Sequence, residues 1–138
     1  MGSPKNEIRP LGGFAPVAGE QWSAEKLVPS SRFPSDLRGR VVQYLDSCPI
    51  ILAWMEHTSD GIGGRFEVPG GSAIASDGTY YWRRDASKYI ETYDLLIPTE
   101  ALIHFERMGW EPPVLDRTKY IEIFRYLSER LGGSEEVG

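Results

Sequence analysis

The stretch SAIASDGTYYWRRDASKYIETY, residues 72–93, decides the fold. The pair Asp77–Gly78 stands between a small apolar run and an aromatic run, which is a strong local signal for a two-residue hairpin turn. That turn predicts four cross-strand pairs: Ser76 with Thr79, Ala75 with Tyr80, Ile74 with Tyr81, and Ala73 with Trp82. The stretch therefore predicts an antiparallel hairpin that leads directly into a helix.

The predicted hairpin has two unlike faces, because side chains alternate along a strand. On one face, small alanines lie opposite Tyr80 and Trp82, which suits a surface covered by helices. The other face carries Tyr81 and Arg83 and is more polar. We expect Tyr81, Arg83 and, at the edge, Arg84 to face solvent, and these three are the candidate partner-binding residues.

Helical patterns lie on both sides of the hairpin. Ser35 can cap a helix before it, and Asp85, Pro98 and Asp116 can begin three helices after it. The apolar run 50–56, between the first helix and the hairpin, predicts a central strand. The element order predicts an α+β fold, in which a small antiparallel sheet with a DG hairpin is packed on one face by about four helices.

The last predicted helix carries apolar residues at helical spacing. The members of this stripe are Tyr120, Ile121, Phe124, Leu127 and Leu131. We expect the stripe to face the sheet and to be buried.

The chain divides into three segments by composition. Residues 1–33 are rich in Gly, Pro and Ser and show neither a strand nor a helix period, which predicts an extended or flexible N-terminal arm. Residues 34–131 carry the predicted helices and strands and form a single α+β domain. Residues 132–138, GGSEEVG, predict a flexible acidic tail.

Composition limits the classes of function. The chain has 138 residues, 41% of them hydrophobic and 25% charged, which is typical of one soluble globular domain. The net charge of -5 disfavours non-specific nucleic-acid binding. Apolar runs fall far short of the roughly 20 residues of a membrane span, and the N-terminus lacks a signal-peptide pattern, so we expect no membrane partner and a cytoplasmic location. The single cysteine, Cys48, is expected to be buried, and no cofactor or metal is predicted.

One group of polar residues has no evident structural role. Glu56, His57 and Asp60 lie beside the glycine-rich loop Gly61–Gly71. Together they could supply a general acid and a general base in a cleft. The other carboxylates are explained locally, because Asp77 belongs to the predicted turn and Asp85 to the predicted helix cap.

Residues 76–105 resemble a family of small uncharacterised bacterial proteins. The resemblance consists of a DG turn, an aromatic strand ending in Trp, a D-x-x-x-Y-x-x-x-Y helix, and a Pro-led helix with Glu and His. The matching positions are Asp77, Gly78, Trp82, Asp85, Tyr89, Tyr93, Pro98, Glu100 and His104. Proteins of this kind accompany polymorphic toxin systems, so the resemblance implies an immunity-type protein that binds a toxin.

Three hypotheses about function follow. The favoured one is a non-enzymatic cytoplasmic protein-binding domain that neutralises a toxin, and a basic toxin would suit the acidic chain. The second is a small enzyme or ligand-binding domain that uses the Gly61–Gly71 loop with His57. The third is a scaffold or assembly subunit, for example of a phage-derived particle, whose N-terminal arm reaches onto a neighbour.

Overall fold

The computed structural model describes residues 7–27, 35–93 and 95–131. Its four helices are α1 (Ser35–Ser47), α2 (Ala86–Tyr93), α3 (Thr99–Arg107) and α4 (Arg117–Leu131). Its six strands are β1 (Arg9–Pro10), β2 (Ile50–Leu52), β3 (Thr58–Ser59), β4 (Glu67–Val68), β5 (Ile74–Ser76) and β6 (Tyr80–Arg83). The predicted α+β class and the four predicted helices are confirmed.

The main sheet has the strand order β1-β6-β5-β2. The pairs β5–β6 and β2–β5 are antiparallel, as predicted, but β1 runs parallel to β6, so the sheet is mixed. The predicted central strand forms β2, which is shorter than expected and lies at the edge. A second sheet consists of β3 and β4, so the predicted loop Gly61–Gly71 contains a strand, and its first residues connect β3 to β4.

The hairpin forms with a register different from the predicted one. Three cross-strand pairs define it: Ser76 with Tyr81, Ala75 with Trp82, and Ile74 with Arg83. The turn residues are therefore Gly78 and Thr79, and Gly78 has the positive φ of +92° that a turn of type II′ requires at its first position. The predicted register was wrong by two residues, which leaves every side chain on its predicted face.

Helices cover both faces of the main sheet. Tyr80 and Trp82 pack in one hydrophobic cluster with α1, α2 and α3, as predicted for that face. Ile74 and Tyr81 point to the opposite face, where they pack against α4. The prediction that all helices lie on one face is corrected by α4, which turns the expected open face into a second core.

The buried side of α4 differs from the predicted stripe. Asp116 caps the helix as predicted, since its Oδ1 accepts from the Lys119 amide at 2.8 Å. Of the predicted stripe, Leu127 is buried and Tyr120 and Leu131 pack against the same core, but Ile121 and Phe124 are 38% and 42% exposed, and Ile123, outside the stripe, is buried. Both faces are apolar by sequence, and packing on the sheet selects between them.

Residues 7–27 belong to the folded domain instead of forming a free arm. The amides of Arg9 and Leu11 donate to carbonyls of the β6 strand region, at 3.0 and 2.9 Å. Four large side chains of this segment are buried: Ile8, Leu11, Phe14 and Leu27. Residues 7–27 therefore do not form the free arm that the scaffold hypothesis assumed.

Several sequence predictions concern parts of the chain that the structure does not describe. The remainder of the predicted arm, the side chain of Ser35 and the predicted tail 132–138 all lie outside the described residues. Within the described ranges, no helix combines the length and the apolar character needed to cross a membrane.

Candidate functional site

Tyr81, the first candidate partner-binding residue, is part of the core. Its side chain lies under α4 and the residue is 5% exposed. The phenolic hydroxyl donates to the Pro16 carbonyl at 2.7 Å, which ties β6 to the N-terminal segment. Burial raises the pKa of Tyr81. Tyr81 is therefore positioned for packing and cannot reach a partner from the folded state.

Arg83, the second candidate, is committed to an internal ion pair. Its Nε and one terminal nitrogen donate to the two carboxylate oxygens of Asp85, at 3.0 and 2.8 Å. The guanidinium also lies 3.8 Å from the centre of the Trp22 ring, a cation–π geometry. Asp85 is 1% exposed and accepts a third bond from the Thr58 hydroxyl at 2.9 Å. This network joins β6 to the β3–β4 sheet and to the N-terminal segment.

The predicted role of Asp85 changes accordingly. Its backbone carbonyl accepts from the amides of Lys88 and Tyr89, so the residue does stand at the start of α2. Its carboxylate, which was predicted to cap the helix, binds Arg83 and Thr58 instead. The carboxylate binds Arg83 in preference to a helix amide because two charge-assisted bonds from a guanidinium are stronger than one bond from an amide.

Arg84, the third candidate, faces solvent as predicted. It borders a groove of about 310 Å³ between the end of α1, the start of α2 and the sheet. The polar side chains along the groove are Asp46, Arg84, Ser87, Lys88 and Glu91. Of the three hairpin candidates, Arg84 is the one left available for binding.

The glycine-rich loop is closed around Asp60. Its carboxylate accepts hydrogen bonds from the amides of Ile62, Gly63 and Arg65 and from the Tyr93 hydroxyl. Burial alone would raise the pKa of Asp60, but the bonds from Tyr93 and the three amides outweigh it and hold the pKa below its usual range. Asp60 therefore organises the loop as a buried acceptor.

The predicted group of Glu56, His57 and Asp60 does not form a common site. The His57 Nε2 lies 3.1 Å from Glu67 Oε1 across the β3–β4 pair, and the His57 side chain is 54% exposed. Glu56 is exposed, whereas Asp60 is turned into the loop. An acid–base pair in a cleft requires groups that converge on one point, and these three are each directed elsewhere.

Sequence reasoning missed a cluster of Asp77, His104 and Tyr44. Asp77 Oδ2 lies 3.0 Å from His104 Nε2 and accepts from the Tyr44 hydroxyl at 2.6 Å. Asp77 Oδ1 accepts from the amides of Thr79 and Tyr80, both at 2.9 Å. No spacing rule connects these residues, since α1, the hairpin and α3 contribute one each. Both Asp77 and His104 do lie at positions of the family resemblance.

The carboxylate of Asp77 is held ionised by its donors. Burial would raise the pKa of Asp77, but the bonds from His104, Tyr44 and two backbone amides outweigh it and lower the pKa below its usual value. Burial and the nearby Asp77 raise the pKa of Tyr44. The same two causes raise the pKa of the buried Cys48 thiol to about 12, which removes it as a nucleophile at neutral pH.

An aspartate that orients a histidine occurs in general-base dyads, which also require a hydroxyl or thiol that donates to the histidine. The His104 side chain is 24% exposed. Within residues 7–27, 35–93 and 95–131 its ring hydrogen-bonds to Asp77 alone, and no hydroxyl or thiol donates to it. The cluster therefore links α1, the hairpin and α3 and stabilises their packing. The same part of the chain contains no group of three or more His, Cys, Asp or Glu side chains arranged to hold a metal.

One side of α4 presents apolar and basic side chains to solvent. We call this surface the α4 flank and define it by Arg117, Ile121, Phe124 and Arg125, all of which are exposed. Residues 117, 121 and 124 have the i, i+4, i+7 spacing of one helix face. The opposite side of α4 borders a groove with Ile8 of the N-terminal segment and Gly78 of the hairpin, and Arg125, which also lines this groove, marks the boundary between the two sides. The flank consequently lies on the side of α4 that faces away from β1 and towards the β2 edge.

Searches against protein-family models, curated proteins and solved structures find no match to this chain.

Proposed function

We propose that the chain is a protein-binding domain that contacts its partner through the α4 flank. The observation that carries the proposal is the exposure of two large apolar side chains, Ile121 at 38% and Phe124 at 42%, on adjacent turns of one helix. Aromatic and aliphatic anchors flanked by arginine are typical of the energetically important part of protein interfaces.

The neighbouring sheet edge supports the same surface. Within the described residues, β2 pairs with β5 on one side and with no strand on the other. Tyr120 of α4 donates its hydroxyl to the Ile50 carbonyl at 2.8 Å, which fixes the helix beside this edge. A partner that covers Phe124 and Ile121 would therefore also meet backbone groups of β2, and such edges readily accept additional contacts.

The charges of the flank suggest the character of the contact. Arg117 and Arg125 stand on either side of the apolar pair and are both exposed. They favour acidic groups on the partner surface that covers the flank. The whole chain is acidic, with a net charge of -5, and at longer range it favours encounter with a basic protein.

A toxin-neutralising role of the immunity type is one form of this function. It rests on the resemblance of residues 76–105, and a basic toxin is the partner that the resemblance and the net charge together favour. The buried Tyr81 and the paired Arg83 do not contribute to such a contact, so the α4 flank replaces them as the proposed surface.

The proposal can be tested with charge substitutions on α4. Phe124→Glu and Ile121→Glu should each abolish capture of a stoichiometric protein from the native organism. The thermal unfolding of both variants should match that of the wild type, because both side chains are already partly solvated. Ile103→Glu is the matched control, since Ile103 is a similarly exposed apolar residue, at 44%, on a different helix.

Three results decide the question. Loss of the partner with both α4 variants and its retention with Ile103→Glu support the proposal. Failure of the wild-type protein to retain any stoichiometric partner would count against it, as would a partner that binds the two α4 variants normally. Sedimentation equilibrium of the pure protein identifies the case in which the partner is a second copy, because the α4 variants would then be monomeric.

A further inference from the structure

The groove beside Arg84 has the composition of a small-molecule site. Its volume of about 310 Å³ is enclosed by the end of α1, the start of α2 and strands of the sheet. Its apolar lining residues are Leu45, Cys48, Ile50, Val68, Ala75 and Trp82. Ligand cavities in proteins are typically apolar concavities of roughly this size or larger, with a few polar groups that orient the ligand. The groove combines both features.

Arg84 is the charged group at this groove that lacks a partner. Its backbone amide donates to the Ala73 carbonyl at 2.7 Å, which fixes the residue at the end of the β6 strand. Across residues 7–27, 35–93 and 95–131 its guanidinium makes neither a hydrogen bond nor an ion pair. The adjacent Arg83 is fully engaged with Asp85. The two neighbouring arginines therefore have different roles, and Arg84 is free to bind an anion.

The other charges around the groove limit what that anion can be. The Lys88 ammonium lies 3.9 Å from the Glu91 carboxylate, and Asp46 accepts the Ser87 hydroxyl at 2.5 Å. Two carboxylates at the rim would repel a ligand of charge -2. One uncompensated guanidinium suits a single carboxylate, which it can bind with two parallel hydrogen bonds.

We infer that this groove binds a small monocarboxylate with an apolar body. The carboxylate contacts Arg84, with Lys88 adding a second positive charge at the rim. The apolar body lies on Val68 and Ala75, next to Trp82. The site differs from the α4 flank, because no α4 residue lines it, although Ile50 of β2 lies near both.

The inference is tested with three compounds that share one apolar body. These are 3-phenylpropionate, the neutral 3-phenylpropionamide and the cationic 3-phenylpropylamine. Titrations followed by ¹⁵N chemical shifts should show millimolar or tighter binding of the carboxylate, with the largest shifts at Ala75, Trp82 and Ser87. The amide should bind at least about tenfold more weakly and the amine more weakly still, because neither can accept two charge-assisted bonds from Arg84.

Substitutions separate the proposed contact from a general charge effect. Arg84→Gln should weaken 3-phenylpropionate binding about tenfold or more, and Lys88→Gln should have a smaller effect in the same direction. Arg107→Gln removes an equal charge from the exposed end of α3 and should leave binding unchanged. All three side chains are solvent-exposed, so the variants should fold normally.

The opposite results would overturn the inference. They are equal binding of the carboxylate and the amide, an Arg107→Gln defect as large as that of Arg84→Gln, or no carboxylate binding at millimolar concentration. Shifts centred on Lys119 and Tyr126, which line the groove on α4, would likewise place the ligand elsewhere and overturn it.

Discussion

Asp77 and His104 are joined by a contact of 3.0 Å between a carboxylate oxygen and an imidazole nitrogen, although 27 positions separate them. The Tyr44 hydroxyl donates to the same oxygen at 2.6 Å. Through one buried carboxylate, the hairpin turn is therefore connected to α1 and to α3. The arrangement also explains the hairpin register, because the Asp77 side chain holds the turn amides of Thr79 and Tyr80.

Asp77→Asn should destabilise the protein by about 1–3 kcal/mol. The substitution preserves the size of the side chain but replaces one carboxylate oxygen with an NH₂ group. This group is a donor and would face the hydrogen-bond donors that now bind Asp77. Urea unfolding at neutral pH measures the loss. Asp116→Asn is the control, since asparagine also caps helices and the site is exposed, and it should change stability by less than about 0.5 kcal/mol. Equal losses in the two variants would contradict the role assigned to Asp77.

Acid should destabilise the protein through Asp77 and Asp60. Both carboxyl groups have a folded-state pKa below the ordinary value of 3.8. The stability that they contribute is fully present above 3.8, where the unfolded chain is also ionised. It is lost as the pH falls towards the folded pKa, because the unfolded chain then binds protons that the folded chain excludes.

The measurement is the urea midpoint as a function of pH. We expect a constant midpoint around neutrality and a decline that begins below about pH 5. Asp77→Asn should start from a lower midpoint at neutral pH and decline less steeply. Parallel curves for the wild type and this variant would show that Asp77 is not the titrating group.

Arg83→Gln should cost about 3–5 kcal/mol, because it leaves the Asp85 carboxylate buried without its cation. Arg84→Gln, one residue later, should cost no more than about 0.5 kcal/mol, since that side chain is exposed and unpaired. The two variants differ by the same atoms, so their urea midpoints can be compared directly. Similar midpoints would show that the Arg83–Asp85 pair contributes little to stability.

The elements of the fold could be predicted from local patterns. The Asp-Gly pair, the cap at Asp116 and the helical periodicity act within a few residues; the cap and the periodicity gave the expected helices, and the Asp-Gly pair gave a hairpin whose turn lies one residue later than expected. The side of α4 that packs on the sheet was not predictable in this way. Apolar residues lie on two of its sides, and the burial of Ile123 instead of Ile121 depends on contacts with strands far away in the chain.

The candidate site was predicted less well, for a related reason. Arg83 and Arg84 are adjacent and chemically identical, yet one is buried against Asp85 and the other is exposed. The sequence predicts Asp60 as a catalytic candidate, whereas its carboxylate binds three amides of the following loop and the hydroxyl of Tyr93 in α2. Asp77 had a sufficient local explanation, which concealed its contact with His104. The role of a polar side chain depends on its hydrogen-bond partners, and partners that are far away in the chain leave no signal in the neighbouring sequence.

Two glycine substitutions should change the stability of the protein in opposite directions. Gly71→Ala tests the packing around the Arg83–Asp85 network, and Gly39→Ala tests helix α1. A Cβ at Gly71 would overlap the Thr58 hydroxyl and lie 3.0 Å from the Val68 carbonyl. That hydroxyl is the donor to Asp85, so Gly71→Ala should break the bond and destabilise the protein by more than about 1 kcal/mol. A Cβ at Gly39 meets no atom within 4 Å on the exposed side of α1.

Gly39→Ala should therefore stabilise the protein by about 0.5–1 kcal/mol, the gain expected from helix propensity and from restriction of the unfolded chain. Thermal and urea unfolding of both variants measure the two signs in one experiment. In the Thr58→Ala background, which lacks the overlapping hydroxyl, Gly71→Ala should cost less stability than it does in the wild type if the clash is with that hydroxyl. If Gly71→Ala alone were as stable as the wild type, the Thr58 hydroxyl could not lie against Gly71. The predicted clash and the loss of the Thr58–Asp85 bond would then be wrong.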